Sequence, residues 1–322
     1  MRGFPSQINS IADLENLLSG AFNSDALSFL GNVSGNADFL ATMGGQDAII
    51  DVLAERCTSD NFSLSNPFVP KSLSAKGQLH CHSTGSDGSL TPTEIVTAYK
   101  DLGYDFVALT DHNAYTPDPA IAGIIFLSGN EVSYYYGHAI TYVDISLRDF
   151  CHPLQYATEN YPDARYWQEN GLIEVNNYLQ SLLGYPQGPF ANAYWDSLLA
   201  RDFIMWGISV DDCHHAININ NGWIVVNVDV VAKADIVAAI TSGNFYASNG
   251  NDISISVDGD TIIAMSTNES TFTFIGRNGY VLKTELDVYN SSYIVCGWEK
   301  YVRVEAVNSA GKYAWSQPLW IV

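Results

Sequence analysis

Three short histidine–acid groups, each at the C-terminal end of a predicted strand, constrain this chain more than any other feature. They read His80-Cys81-His82, Asp111-His112 and Asp212-Cys213-His214. All seven histidines of the 322 residues fall between positions 80 and 215. Histidine used for packing would scatter. Imidazoles and carboxylates converging from separate segments are what a multinuclear metal site requires. Spaced i, i+2 on a strand, His80 and His82 project from one face, and Asp212 and His214 repeat that chelate with a carboxylate in place of one imidazole. The cysteine between each pair then faces the packing side. No Cys-x-x-Cys pair exists among the five cysteines (57, 81, 151, 213 and 296), so they are read as small buried hydrophobes, neither ligands nor disulfides.

From about 76 to 246, apolar β-type runs alternate with helical stretches. Strands are expected at 78–82, 105–110, 124–127, 139–143, 172–175, 203–210 and 223–228. Thr91-Pro92-Thr93-Glu94 is a capping box with Pro at the first helical position, and Gly103 closes that helix. Further amphipathic helices are expected at 191–201 and 233–241. Repeated β-then-α units predict parallel strands in an α/β barrel or open sheet, with the chemistry at the C-terminal strand ends.

The flanks differ in texture. Residues 1–70 carry a degenerate repeat with an 11-residue step, at Ala26-Leu27, Ala37-Asp38 and Ala48-Ile49, which predicts a small helical segment. Asn66-Pro67-Phe68-Val69-Pro70 reads as an extended linker. From 250 to 322, strictly alternating runs such as Ile253–Val257, Thr271–Ile275 and Tyr301–Val307, with turns at Asp258-Gly259 and Asn278-Gly279, predict an antiparallel β unit that supports or covers the central domain, 71–249.

The motif set resembles the PHP (polymerase and histidinol phosphatase) superfamily of metal-dependent phosphoesterases. The matching residues are His80-Cys81-His82, Ser86-Asp87-Gly88, Ala108-Leu109-Thr110-Asp111-His112-Asn113, Gly129-Asn130-Glu131-Val132, Cys151-His152-Pro153 and Asp212-Cys213-His214. The resemblance covers about 76–246. It implies an α/β fold of distorted (β/α)7 type with two or three divalent ions (Zn, Mn or Fe), flanked here by the helical N-terminal segment and the β extension. It also implies a division of ligands. His80, His82, Glu131 and Asp212 would hold one ion; Glu131 would bridge to a second completed by His138 and His152; Asp87, His112 and His214 would hold a third. The stretch between His138 and His152 is shorter than in relatives, so the second site is expected to be the least complete.

The implied reaction is hydrolysis of a phosphoester by a metal-bridged hydroxide, with His215 or Asp87 as candidates to protonate the leaving group. Asp111 and Asp211 are expected to orient neighbouring imidazoles, and Tyr134, Tyr135 and Tyr136 to line the pocket or pack. The formal charge of −21, from 35 acids against 14 bases, argues against a polynucleotide partner and points to a small phosphorylated substrate neutralised by the ions. No apolar run reaches the roughly 18–20 residues of a membrane span, and no signal-peptide pattern opens the chain, so a cytoplasmic or assembly-associated place is expected. Two other classes compete. One is a structural or attachment protein of a virion or surface assembly, with residues 1–70 or 250–322 as contacts for an assembly or homo-oligomer. The other is a hydrolase of C–N bonds, which usually wants a carbamylated lysine that no strand end here offers.

Overall fold

In the computed structural model, the described residues are 62–134, 137–153, 171–184 and 189–322. The repeat-bearing segment before residue 62, Tyr135, Tyr136, residues 154–170 and residues 185–188 lie outside them. The chain enters through β1 (Leu64–Ser65), which pairs antiparallel with the last strand. The Asn66–Pro70 stretch is anchored: Phe68 is buried in the C-terminal core, and its N–H donates to Asn66 Oδ1 (2.9 Å).

Strand β2 (Leu73–Gln78) leads into the first histidine pair, which sits just beyond the strand end. Helix α1 (Pro92–Asp101) begins at the expected box. Thr91 Oγ1 accepts the Glu94 N–H (3.3 Å), and the Glu94 carboxylate accepts the Thr91 N–H (2.8 Å). Its apolar face, Ile95, Val96 and Tyr99, packs on Val107 and Leu109 of β3 (Phe106–Leu109), and Gly103 ends the helix with φ 78°. Then follow β4 (Ile125–Tyr134), β5 (Gly137–Tyr142), β6 (Arg148–Phe150), β7 (Gly171–Asn177), α2 (Tyr178–Leu182), α3 (Pro189–Leu199), β8 (Met205–Val210), β9 (Trp223–Val228), α4 (Lys233–Ser242) and β10 (Phe245–Ser248).

Pairing is mixed, where the β-then-α units predicted parallel strands. The ladders β2–β3, β3–β4, β6–β7 and β7–β8 are parallel; β4–β5, β5–β6, β2–β9 and β9–β10 are antiparallel. The reason lies in the connections. Only residues 135 and 136 separate β4 from β5, far too few for a crossover, so they form a hairpin. The result is a sheet-rich mixed α/β fold with few helices. Two contacts draw β8 toward the opposite end of the strand order. Gln317 uses both ends of its amide on Gly207, accepting from its N–H (2.7 Å) and donating to its carbonyl (2.8 Å). Beyond the strands, Cys81 and Cys213 form a parallel bridge in which the His82 N–H donates to the Cys213 carbonyl (2.8 Å).

The C-terminal part is antiparallel as expected: β11 (Ser254–Asp258), β12 (Thr261–Gly276), β13 (Tyr280–Ile294), β14 (Tyr301–Asn308), β15 (Tyr313–Trp315) and β16 (Leu319–Ile321). The ladder does not stop at residue 250, because β10 pairs with β15. Trp195 and Leu198 of α3 share a core with Tyr301 and Trp315, which locks the two parts together. Cys81, Cys151 and Cys213 are buried thiols, as expected, whereas Cys296 is held in a disulfide. No helix among the described residues is long and apolar enough to cross a membrane.

Candidate metal centre

The strand ends of β2, β3 and β8 and the middle of β4 converge, and all nine expected ligand positions meet there. Alternation past β2 sends His80 and His82 inward while Cys81 turns to the core beside Cys213. His80 Nε2 lies 3.2 Å from Glu131 Oε2 and 3.2 Å from Asp212 Oδ1; His82 Nε2 lies 2.9 Å from Glu131 Oε2 and 3.5 Å from Asp212 Oδ1. The two ring nitrogens are 3.0 Å apart. Glu131 divides its carboxylate. Oε2 faces that group, and Oε1 faces His138 Nδ1 (2.7 Å) and His152 Nε2 (3.0 Å). Despite the short stretch between them, His138 and His152 both reach Glu131, because the β4–β5 hairpin and β6 return each to the same carboxylate.

Nearer the surface, Asp87 Oδ2 faces His112 Nε2 (3.6 Å) and His214 Nε2 (3.4 Å), while its Oδ1 faces His82 Nδ1 (3.6 Å). His82 therefore touches two groups, one with each ring nitrogen. Among His80, His82 and Asp212, and again among His82, Asp87, His112 and His214, one donor atom per residue lies within 4.8 Å of the others. Exposure grades from floor to mouth: His80 and His82 are buried, His112 and His138 partly open, and Asp87 is 54% exposed.

Backbone conformation supports the convergence. Asp212 (φ 50°) and His152 (φ 30°) are held with positive φ, an arrangement that costs of order 1–3 kcal/mol for such residues and concentrates at functional sites. Gly88 lets the Asp87 turn close on the histidine strand, since a Cβ there would meet the His82 carbonyl oxygen at 2.4 Å.

Burial alone would push the Glu131 carboxyl up, but the His80 charge and hydrogen bonds from His138, His152 and His80 hold it well below the usual carboxylate range. Burial likewise opposes charge on His82, yet its bonds to Asp212 and Glu131 prevail and push it up to about 9. His80 is raised well above its ordinary value against the same desolvation, by Asp212, Glu174 and Glu131. His112 runs the other way, lowered by burial, and its Nδ1 is buried without a hydrogen-bond partner. Converging imidazoles and carboxylates, one imidazole nitrogen among them buried without a hydrogen bond, fit a divalent metal ion.

Glu174 is the residue that sequence reasoning missed. Fully buried on β7, it places Oε1 2.5 Å from His80 Nδ1, while Oε2 accepts the His152 N–H (2.5 Å) and Asn177 Nδ2–H (2.8 Å). Asn177 Nδ2 also lies 3.1 Å from Asp212 Oδ2. The available signal was a glutamate inside the apolar strand Leu172-Ile173-Glu174-Val175, where a carboxylate must have a partner.

Asp111 and Asp211 do not contact imidazoles as expected. Asp111 accepts from Ser83 N–H (2.7 Å), Ser83 Oγ (2.7 Å), Ser86 Oγ (2.8 Å) and Thr116, fixing the turn that carries Asp87. Asp211 accepts three backbone N–H groups, from Asn220, Asn221 and Gly222, and the Tyr99 hydroxyl (2.7 Å), tying α1 to the β8 end. Each carboxylate is instead occupied by these loop and helix donors. His215 is exposed at the mouth, with Nδ1 3.0 Å from Ser89 Oγ. Tyr134 is 46% exposed at the β4 end.

Comparison with known proteins gives partial likenesses. No family model matches the chain. A 5′-3′ exoribonuclease of Haemophilus influenzae is 39% identical over 115 residues, which is 34% of this chain and 41% of that protein, so the chain spans less than half the length of this relative. A two-domain protein from Bacteroides vulgatus, containing a predicted PHP-like metal-dependent phosphoesterase, aligns over 75% of this chain and 93% of its own with a TM-score of 0.46 and 15% identity. An amidohydrolase from Chromobacterium violaceum aligns over 44% of this chain and 88% of its own, with a TM-score of 0.35 and 17% identity.

Proposed function

We propose that this chain is a PHP-type metal-dependent phosphoesterase on a distorted β/α barrel. The carrying observation is Glu131: one buried carboxylate turns an oxygen toward His80 and His82 and the other toward His138 and His152, as a bridge between two ions must. His80, His82, Glu131 and Asp212 would hold the first ion, Glu131, His138 and His152 the second, and Asp87, His112 and His214 a third. Ions so held supply Lewis acidity to a phosphoryl oxygen and lower the pKa of water to near neutrality.

The chain's own groups do the rest. The half-open rim of Asp87, His112 and His214 leads to the buried floor, and ions held there would offset the −21 net charge that otherwise repels an anion. His215, steadied by Ser89, is placed to hand a proton to the leaving oxygen; Asp87 is committed to His112 and His214 and is the poorer donor. The substrate is a small phosphorylated molecule. The name of the Haemophilus relative favours a second reading, in which the phosphate belongs to a ribonucleotide chain.

The test is elemental analysis of protein purified without chelator, followed by assay on phosphomonoesters and on 5′-phosphorylated oligoribonucleotides. Two or three equivalents of metal, turnover, and a loss of at least about a thousandfold in His80→Ala and Asp212→Ala with folding retained are expected. Metal-free protein after reconstitution with Mn and Zn would end the proposal.

A further inference from the structure

Glu174, Asn177 and Gln180 run at three-residue steps across the junction of β7 and α2. The two amides lie behind the metal centre and belong to none of its nine ligand positions. Asn177 is fully buried, and Gln180 is 3% exposed. Granted the metal centre proposed above, we propose that Asn177 and Gln180 are positioning residues. They hold Asp212 to ligation through a single oxygen and so keep a coordination position of the first ion open.

Asp212 presents its two oxygens to different partners. The imidazoles meet Oδ1: His80 Nε2 at 3.2 Å, His82 Nε2 at 3.5 Å and His214 Nδ1 at 3.5 Å. The amides meet Oδ2: Asn177 Nδ2 at 3.1 Å and Gln180 Nε2 at 3.4 Å. An amide nitrogen only donates, and a carboxylate oxygen that accepts from two donors has its lone pairs occupied by them. A carboxylate bound through both oxygens would fill one more position, whereas a catalytic ion must leave one for water or substrate.

The amides are themselves fixed. Asn177 caps α2, its Oδ1 accepting the Gln180 N–H (3.0 Å), and its Nδ2 hydrogens go to Asp212 Oδ2 and to Glu174 Oε2 (2.8 Å). One side chain thereby sets both carboxylates that flank His80, Glu174 at Nδ1 and Asp212 at Nε2. The Leu179 N–H donates to the Asp211 carbonyl (3.2 Å), which pins α2 beside the segment that carries Asp212. Among the described residues Gln180 Nε2 bonds only Asp212, and its Oε1 is buried without a partner. That orphan acceptor carries a desolvation cost that an apolar side chain of the same shape would avoid, so the amide is explained by what its Nε2 holds.

Gln180→Met removes one donor and keeps the shape. Asn177→Ser combined with Gln180→Met removes both, with a serine still able to cap α2. The probe is Zn alone on the full chain, read by crystal structures of the loaded proteins and by competition titration. In the parent, Asp212 Oδ1 should lie about 2.0–2.2 Å from the ion with Oδ2 still on the amides. In the double variant Oδ2 should join Oδ1 on the ion. Gln180→Met leaves the cap and the Glu174 bond intact. It should bring Oδ2 closer to the ion than in the parent, with Zn affinity held or raised, and it serves if the double variant fails to fold. Loss of mere support behind a ligand would instead weaken Zn binding by about 10–100-fold. Two-oxygen ligation in the parent, an unmoved Oδ2 in the folded variants, or weaker Zn binding by Gln180→Met would overturn the clamp and leave the metal centre standing. A parent that takes up no Zn would remove the centre, and the clamp with it.

Discussion

The metal centre and the Arg303 cluster both bury ionic side chains, yet they resolve the cost in opposite ways. At Arg303 the positive charge is permanent. The guanidinium meets Asp196 with two parallel bonds and Glu305 with a third, and the Tyr301 hydroxyl adds a donor to Asp196 (2.7 Å). The cluster is complete in itself and joins α3 to β14. At the centre no arginine or lysine faces Glu131 in the ion pairs among the described residues; its partners are imidazoles, whose charge is conditional. A buried carboxylate balanced only by titratable groups is one whose counter-charge can be exchanged for an ion. The comparison teaches how to tell a structural ion cluster from a site: the first has a fixed cation with its donors spent, the second a convergence of neutralisable donors.

The sharpest way to break that contrast is Arg303→Met. Removing one partner of a buried pair strands the other, and Asp196, where α3 meets the C-terminal β unit, would be left uncompensated. A loss of roughly 3–5 kcal/mol is expected in urea unfolding, with metal content per folded chain unchanged. A variant that kept its stability but lost metal would show that the two clusters are not independent.

Glu174 tests the centre from behind. Its carboxylate fixes the orientation of His80 through Nδ1 and positions the His152 backbone, and it would touch no substrate. Glu174→Gln keeps the shape and removes the charge that makes the imidazole a stronger donor. Metal affinity should fall about 10–100-fold in a competition titration, with a smaller change in the stability of the metal-free chain than Arg303→Met produces. Unchanged affinity would reduce Glu174 to a packing residue.

That Glu174 escaped notice shows what was legible in the sequence. Ligands at strand ends announce themselves by i, i+2 spacing, as His80/His82 and Asp212/His214 do, because the period of a strand puts both on one face. Helix α1 was legible to the residue from Thr91, Pro92 and Glu94, whose capping bonds are local. Glu174 depends on which strand lies beside which, and that is set by the β6–β7 and β7–β8 ladders, where register is a long-range fact. The antiparallel β4–β5–β6 turnback was missed for a related reason: an apolar run does not carry its own direction. Asp111 and Asp211 were assigned to imidazoles because each directly precedes a ligand candidate, His112 or Asp212, whereas neighbours on a chain end past a strand point apart, toward the loop donors that claim them.

The smallest effect, and the one that ties charge to ion most directly, is the pH dependence set by His82. Without an ion its pKa stands at about 9, above an ordinary 6.5. A raised histidine stabilises the fold only while protonated. Its contribution to the metal-free chain is full below about 6.5 and is lost as pH rises through about 9. The ion needs the same nitrogen and must displace the proton, so metal affinity should rise with pH over that window, by about tenfold per unit for one proton released. The Arg303 cluster holds its positive charge throughout and contributes nothing to either slope. Chelator-treated protein should therefore lose stability in urea between pH 6.5 and 9 while metal-loaded protein does not, and calorimetric titration in buffers of different ionisation enthalpy should count the released proton. A flat profile in both forms would mean that the imidazoles at the floor of the centre are already neutral, and that Glu131 and Asp212 find their counter-charge elsewhere.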